Sequence, residues 1–279
     1  MKIKELRTQV ADYLSYLEQE ERSTATRKQY QRDIFCFLSW AEGFEAVKET
    51  VVRYKEKLQD GYKAASVNAK LAALNGFFSF LGRNDLKVKQ LKIQRQAYCS
   101  VDRELTKNEY LRLVETAKRQ QNEKLSLMLQ TICSTGIRVS ELRFITVEAI
   151  GCGEAAIRLK GKNRVILLPE NLRRVLNAYI RRNQIISGPI FITRNGNCMD
   201  RSNICKQMKR LCAEAVVEEQ KVFPHNLRHL FARCFYAIDR DLAKLADILG
   251  HSSVNTTRIY IVSTGSEHRQ HMDALGLVV

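Results

Sequence analysis

Residues 224–261, PHNLRHLFARCFYAIDRDLAKLADILGHSSVNTTRIYI, decide how the rest of this chain is read. They bring His225, Arg228, His251 and Tyr260 into one short helical region. His225 and Arg228 lie three positions apart, so a helix places both on one face, where they can grip neighbouring oxygens of one phosphate. Gly250 is a natural stop for a helix over 241–249, and Ser252 or Ser253 can cap the next one, which carries Tyr260 at its far end. The nine-residue gap from His251 to Tyr260 lets both face one pocket. Imidazoles and a guanidinium can hold and protonate a phosphate, and a phenol can attack one. Taken singly, an HxxR pair arises by chance on many helices, and a lone histidine is more often a packing residue. The grouping therefore has to be supported from elsewhere in the chain.

The balance of charge gives the first support. The chain has 279 residues and a net charge of +16. Such an excess suits a polyanionic partner, nucleic acid above all. An apolar content of 45% is enough for real cores, and only three prolines and thirteen glycines favour long helices. No apolar run reaches the roughly 18 residues that a membrane span needs. Of the eight cysteines, no pair has CxxC spacing and none joins histidines in a zinc pattern. Free thiols in a reducing cytosol follow, and a nucleic-acid partner would place the protein at the nucleoid. Cys198, Cys205 and Cys212 recur every seven residues, which predicts that Cys205 and Cys212 share a helix face as small buried hydrophobes.

The first ninety or so residues read as four or five helices, with Leu6, Val10, Tyr13, Leu14 and Leu17 forming one stripe over 3–21. Ser23 and Thr24 offer a cap for the next helix, a third runs from about Thr50 to Gln59, and Ser66 opens a fourth. Periodicity is lost over 91–103, a basic and polar stretch read as a linker, so the expected domains are 1–92, helical, and 104–279. Thr106 and Glu109 predict a capping box at the first helix of the second domain. An apolar helix over 125–134 stops at Thr135-Gly136. The β signal is a hairpin of 155–159 and 165–168 around Lys160-Gly161-Lys162-Asn163, and helices fill most of the remaining chain. The fold class is mainly α with a small β-hairpin.

TGIRVSEL at 135–142, HNLRH at 225–229, LGHSS at 249–253 and TTRIY at 256–260 together resemble the signature boxes of the tyrosine recombinases, the phage integrase and Xer family. STATRKQYQRDIFCFLSW near the N-terminus similarly resembles that family's helical core-binding domain, so the likeness spans nearly the whole chain. The resemblance implies that Tyr260 is the nucleophile, forming a 3′-phosphotyrosyl bond and releasing a 5′-hydroxyl. Arg138 and Arg228 would clamp the non-bridging oxygens. His225 would act as general base or phosphate donor, and His251 would hydrogen-bond the same phosphate. Glu141 looks like a buried partner that orients Arg138. A hairpin lysine should protonate the leaving oxygen. RLKGKNRVILLP is one residue shorter than the family's hairpin, which favours Lys160 and leaves Lys162 open. The other basic residues here, Arg158 and Arg164 among them, read as a solvated hairpin lying on DNA. At Asp239-Arg240 the family commonly has a glycine, and Asp tolerates the left-handed turn this requires.

The family's chemistry calls for neither metal nor nucleotide cofactor, because arginines and a lysine supply the positive charge. The implied partners are double-stranded DNA with inverted-repeat core sites and three further copies of the chain in a tetrameric synapse, with a paralogous recombinase left open. The C-terminal tail, ending apolar, would pack on a neighbouring protomer or dock in cis. The chain starts almost directly at the core-binding helices, which favours a compact Xer-like enzyme or a mobile-element integrase without an arm-site domain. Two alternatives share parts of this pattern: a non-catalytic DNA-binding protein on the same fold, and a type IB topoisomerase.

Overall fold

The computed structural model describes residues 3–93, 104–159, 162–251, 253–258, 260 and 273–275. The chain divides into two compact units, residues 1–95 and 96–279. The stretch read as a linker lies mostly outside the described residues, as does the C-terminal tail apart from 273–275.

In the first unit the stripe expected over 3–21 is split. Helix α1 (Ile3–Thr8) and helix α2 (Val10–Gln19) meet at Gln9, yet Leu6, Val10, Tyr13 and Leu17 all remain buried. Helix α3 (Thr24–Trp40) starts where Ser23 accepts from the Thr26 amide, satisfying one of the orphan donors of the first turn. Helix α4 (Lys48–Gly61) and helix α5 (Ala64–Phe80) complete the unit, each starting two residues before the sequence cues suggest. The core is aromatic, with Phe37 edge-on to Phe78 at 5.9 Å and to Tyr54 at 5.1 Å. Asp33 is the buried charge of this unit. Lys70 on α5 donates to it at 2.9 Å and Gln29 at 2.6 Å, so the carboxylate ties α3 to α5 without being left unpaired.

The second unit opens with the expected capping box: Thr106 accepts from the Glu109 amide, and Glu109 accepts from the Thr106 amide at 2.8 Å. It starts helix α6 (Lys107–Arg119). Helix α7 (Glu123–Thr135) is buried on most of its circumference, Ser126, Thr131 and Thr135 included. Gly136 ends it at φ 65°, and a Cβ there would lie 2.4 Å from the Phe231 ring, so both backbone sign and space require glycine. A 3-10 turn, Val139–Phe144, and helix α8 (Val147–Cys152) come next.

Strands β1 (Glu154–Leu159) and β2 (Lys162–Leu167) pair antiparallel, with Ile157 opposite Arg164. Pairing extends to Leu159 and Lys162, so the strands reach closer to the turn than the composition of that turn suggests. Helix α9 (Glu170–Arg182) packs beside α7, and helices α10 (Arg201–Arg210) and α11 (Cys212–Ala215) lead toward the site. The shared face expected for Cys205 and Cys212 is not formed. Helix α10 ends at Arg210, leaving Cys212 buried on the next short helix, Cys205 half-buried and Cys198 exposed.

Helix α12 (Pro224–Asp239) runs along α7 and is followed by helix α13 (Leu242–Leu249) and helix α14 (Val254–Arg258). The left-handed residue between α12 and α13 is Arg240, at φ 51°, not Asp239. Asp239 still belongs to the helix, and Asp241 caps α13 by accepting from the amides of Ala243 and Lys244. An arginine thus takes the strained position because both neighbouring aspartates are engaged, Asp239 with Lys244.

Candidate active site

The site is built from two helix ends and one helix side. Helix α7 stops at Gly136 and helix α13 stops at Gly250, the latter at φ 64°. Each stop leaves backbone carbonyls without a helical partner, at the negative end of a helix dipole. Arg228, on α12, reaches both. Its Nη1 donates to the Gly136 carbonyl, and its Nη2 donates to the Leu249 carbonyl at 2.6 Å. Arg228 is only 1% exposed, which for a guanidinium is tolerable only with such partners. Burial, followed by the charge of Arg138, still pulls its pKa down to about 10. Its Nε finds no partner among the described residues.

The same Nη2 lies 2.9 Å from Nε2 of His251. Arginine can only donate, so Nε2 is the acceptor and the imidazole proton sits on Nδ1, 2.7 Å from the Thr257 hydroxyl. Burial first, and then Arg228, lowers the His251 pKa to about 4, so the ring is neutral at pH 7. Tyr260 lies against this ring, with planes 18° apart and centroids at 5.4 Å. Its phenol is 5% exposed, and its oxygen is 3.3 Å from Nε2 of His225, at the outer end of hydrogen-bond range. Ala232, Leu245 and Leu249 form the apolar bed under the tyrosine. Burial and then Arg228 also lower the His225 pKa, with smaller contributions from Arg138 and Arg201.

Arg138 comes from the opposite side, just after Gly136, and its side chain is 43% exposed. Glu141 is 3% exposed and holds it at two points: Oε2 accepts the Arg138 amide at 2.7 Å, and Oε1 accepts its Nη1 at 3.1 Å. Five of the six residues singled out from the sequence, Arg138, His225, Arg228, His251 and Tyr260, therefore stand in one neighbourhood. The sixth, Lys160, lies outside the described residues, and of Lys162 only the backbone is described, at the start of β2.

Three residues were missed or misread. His229, one turn after His225 on α12, packs its ring 4.2 Å from the Tyr260 ring and 4.8 Å from His225. Burial drives its pKa down to about 3. Its i,i+4 spacing from His225 was the available signal. Thr257, fully buried within the TTRIY box, faces Nδ1 of His251, and nothing in the local sequence marks it as a partner of that ring. Arg164 is not solvated: its side chain is 13% exposed and points inward, donating to Glu141 and, at 2.8 Å, to the Ile248 carbonyl.

Residues 103–267 match the phage integrase family, and residues 10–85 match the phage integrase N-terminal SAM-like domain. The chain belongs to the phage integrase family. It is a tyrosine recombinase, an enzyme that cleaves and rejoins DNA. The chain is 28% identical to tyrosine recombinase XerA of Pyrococcus furiosus over 290 residues, covering 100% of this chain and 98% of that protein. It is 26% identical to tyrosine recombinase XerD of Listeria monocytogenes over 277 residues, covering 90% and 92%. In fold it resembles the XerH site-specific recombinase bound to its difH substrate, with a TM-score of 0.68, 18% identity and coverage of 97% and 84%. The lambda integrase tetramer on a Holliday junction is similar too, with a TM-score of 0.71, 18% identity and coverage of 91% and 76%. Among the described residues of this recombinase, no helix is long and apolar enough to cross a membrane, and no group of His, Cys, Asp or Glu is arranged to hold a metal ion.

Proposed function

We propose that this recombinase cuts a DNA strand with Tyr260. The phenolic oxygen forms the bond to phosphorus while the bond to the 5′-oxygen breaks, leaving a 3′-phosphotyrosine. The observation that carries this reading is the 3.3 Å approach of the Tyr260 oxygen to His225 Nε2, beside the Arg228–His251 pair. A neutral imidazole is the form able to take the phenolic proton, and the lowered pKa of His225 supports that form at neutral pH. Arg138, half-exposed and held by Glu141, grips the phosphate from the solvent side, and the unpartnered Nε–H of Arg228 offers a donor from the protein side. His251 hydrogen-bonds the same phosphate once its Nε2, released from Arg228, takes up a proton from solvent or by transfer of the Nδ1 proton. Lys160, or Lys162 in its place, delivers the proton to the leaving 5′-oxygen. Attack by the 5′-hydroxyl of a second strand reverses each transfer and frees Tyr260.

The working assembly we propose is four protomers on two core sites with inverted repeats, either all of this chain or shared with a paralogue. The organisation proposed is a core-binding domain at 1–92, a linker at 93–103 and a catalytic domain at 104–279, acting at the nucleoid. The net charge of +16 supports phosphate-dominated binding that weakens steeply with salt. The test is recovery of SDS-resistant protein–DNA complexes from cells expressing the chain, with sequencing of the attached DNA. Wild type should carry DNA and Tyr260→Phe should carry none while still binding duplex. Attachment by the Phe variant would overturn the assignment, and relaxation of plasmid without strand exchange would replace recombination by topoisomerase activity.

A further inference from the structure

We infer that Arg164 is a positioning residue that sets both sides of the phosphate-gripping site at once. The inference rests on the reading of Arg138 and His251 as phosphate ligands. Arg164 projects from β2 into the interior, opposite Ile157 in the hairpin register. Its Nη2 donates to Glu141 Oε2, the same oxygen that receives the Arg138 amide. Its Nη1 donates to the Ile248 carbonyl, two residues before the glycine that ends α13 and three before His251.

Glu141 consequently has three donors on two oxygens, and its remaining freedom to swing is removed. Rotation of that carboxylate would carry the Arg138 guanidinium with it. On the other side, Gly250 packs against the stem of Arg164, where a Cβ would come within 2.5 Å of Cδ. The turn that presents His251 is thus laid directly on the arginine. Planar geometry matters here. A guanidinium can serve a carboxylate and a carbonyl from two fixed nitrogens, whereas an ammonium is a single point that reaches one of them. A DNA-contacting arginine would instead direct its donors outward, and this one does not.

The consequence is a separation of binding from chemistry. A displacement of about 1 Å in a ligand of the reacting group costs on the order of 100-fold in rate with little change in ground-state binding. The experiment uses full-length protein with Arg164→Ala, Arg164→Lys and Glu141→Gln, and a nicked suicide duplex carrying the sequence recovered with wild type. Single-turnover attachment is measured at saturating protein, and duplex affinity is measured separately in the Tyr260→Phe background. Both Arg164 variants should attach DNA at least about 30-fold more slowly, with Kd within about three-fold of the Arg164 parent. The Ala/Gln double variant should be little slower than the slower single, because both act through one network. If Arg164→Ala fails to fold, Arg164→Lys, which keeps the charge, carries the test. Wild-type attachment rates in the Lys variant, or a loss confined to Kd with a shallower salt dependence, would overturn the inference. Absence of attachment by wild type itself would instead count against the catalytic reading beneath it.

Discussion

The two units treat a buried charge in opposite ways. In the first, Asp33 is enclosed but fully answered by Lys70 and Gln29, and the surrounding helices are packed on Phe37, Phe77 and Phe78. In the second, Arg228 is as deeply enclosed, yet its Nε is unanswered among the described residues, its pKa is depressed, and three histidines beside it are pushed toward neutrality. A fold that needs only stability has no reason to keep such a cluster, since an apolar substitute of similar volume is often no worse. The difference fits the proposal that the second cluster is kept for chemistry and not for stability.

Removing each feature in turn should test this contrast. Arg228→Ala orphans the Gly136 and Leu249 carbonyls and deletes a proposed phosphate donor, so attachment should slow by about 1,000-fold or more in the single-turnover assay. Its duplex affinity in the Tyr260→Phe background should fall far less. Phe77→Ala, at a fully buried site in the first unit, should cost about 3–5 kcal/mol in denaturant unfolding of that unit. The transition of the second unit should stay where it is; a matching shift there would show that the contrast between the units is misplaced. Asp33→Asn leaves Lys70 half-answered in a mostly buried setting, and about 1–3 kcal/mol should be lost from the same first-unit transition.

The effect that is smallest near neutral pH concerns protonation. His229 has a folded pKa of about 3 against an ordinary 6.5, so below pH 6.5 the unfolded chain binds a proton that the folded chain refuses. Stability attributable to this ring is intact above pH 6.5 and is lost as pH falls toward 3. His229→Gln should therefore flatten the acid limb of the stability curve by about 1 kcal/mol per pH unit across that window. An unchanged slope would mean that the imidazole is solvated and is not enclosed by Tyr260 and His225.

Much of this was legible in the chain itself. Helix-period apolar stripes, Ser23, the Thr106–Glu109 box and the glycines at 136 and 250 depend on interactions within a few residues, and all of them behave as local chemistry dictates. The sequence also nominated the site residues proposed, of which Arg138, His225, Arg228, His251 and Tyr260 lie near one another in the fold while Lys160 lies outside the described residues. The misreading of Arg164 is tertiary in origin. Arg164 belongs to a basic hairpin and looks solvated until α13 is folded against it, 84 residues away in sequence. The left-handed position fell one residue further on, because the capping choice of Asp241 is made by the next helix.

The order of residues was enough to nominate the groups proposed for phosphoryl transfer, to place most of the helices, and to show a positive charge suited to a polyanion. It took the packed fold to establish that Arg228 spends its donors on two helix ends, that His251 is neutral with its proton on Nδ1, and that Arg164 faces inward. Protonation state and side-chain direction are set by burial and by partners distant in sequence. Those are properties of the packed interior, and no local pattern encodes them.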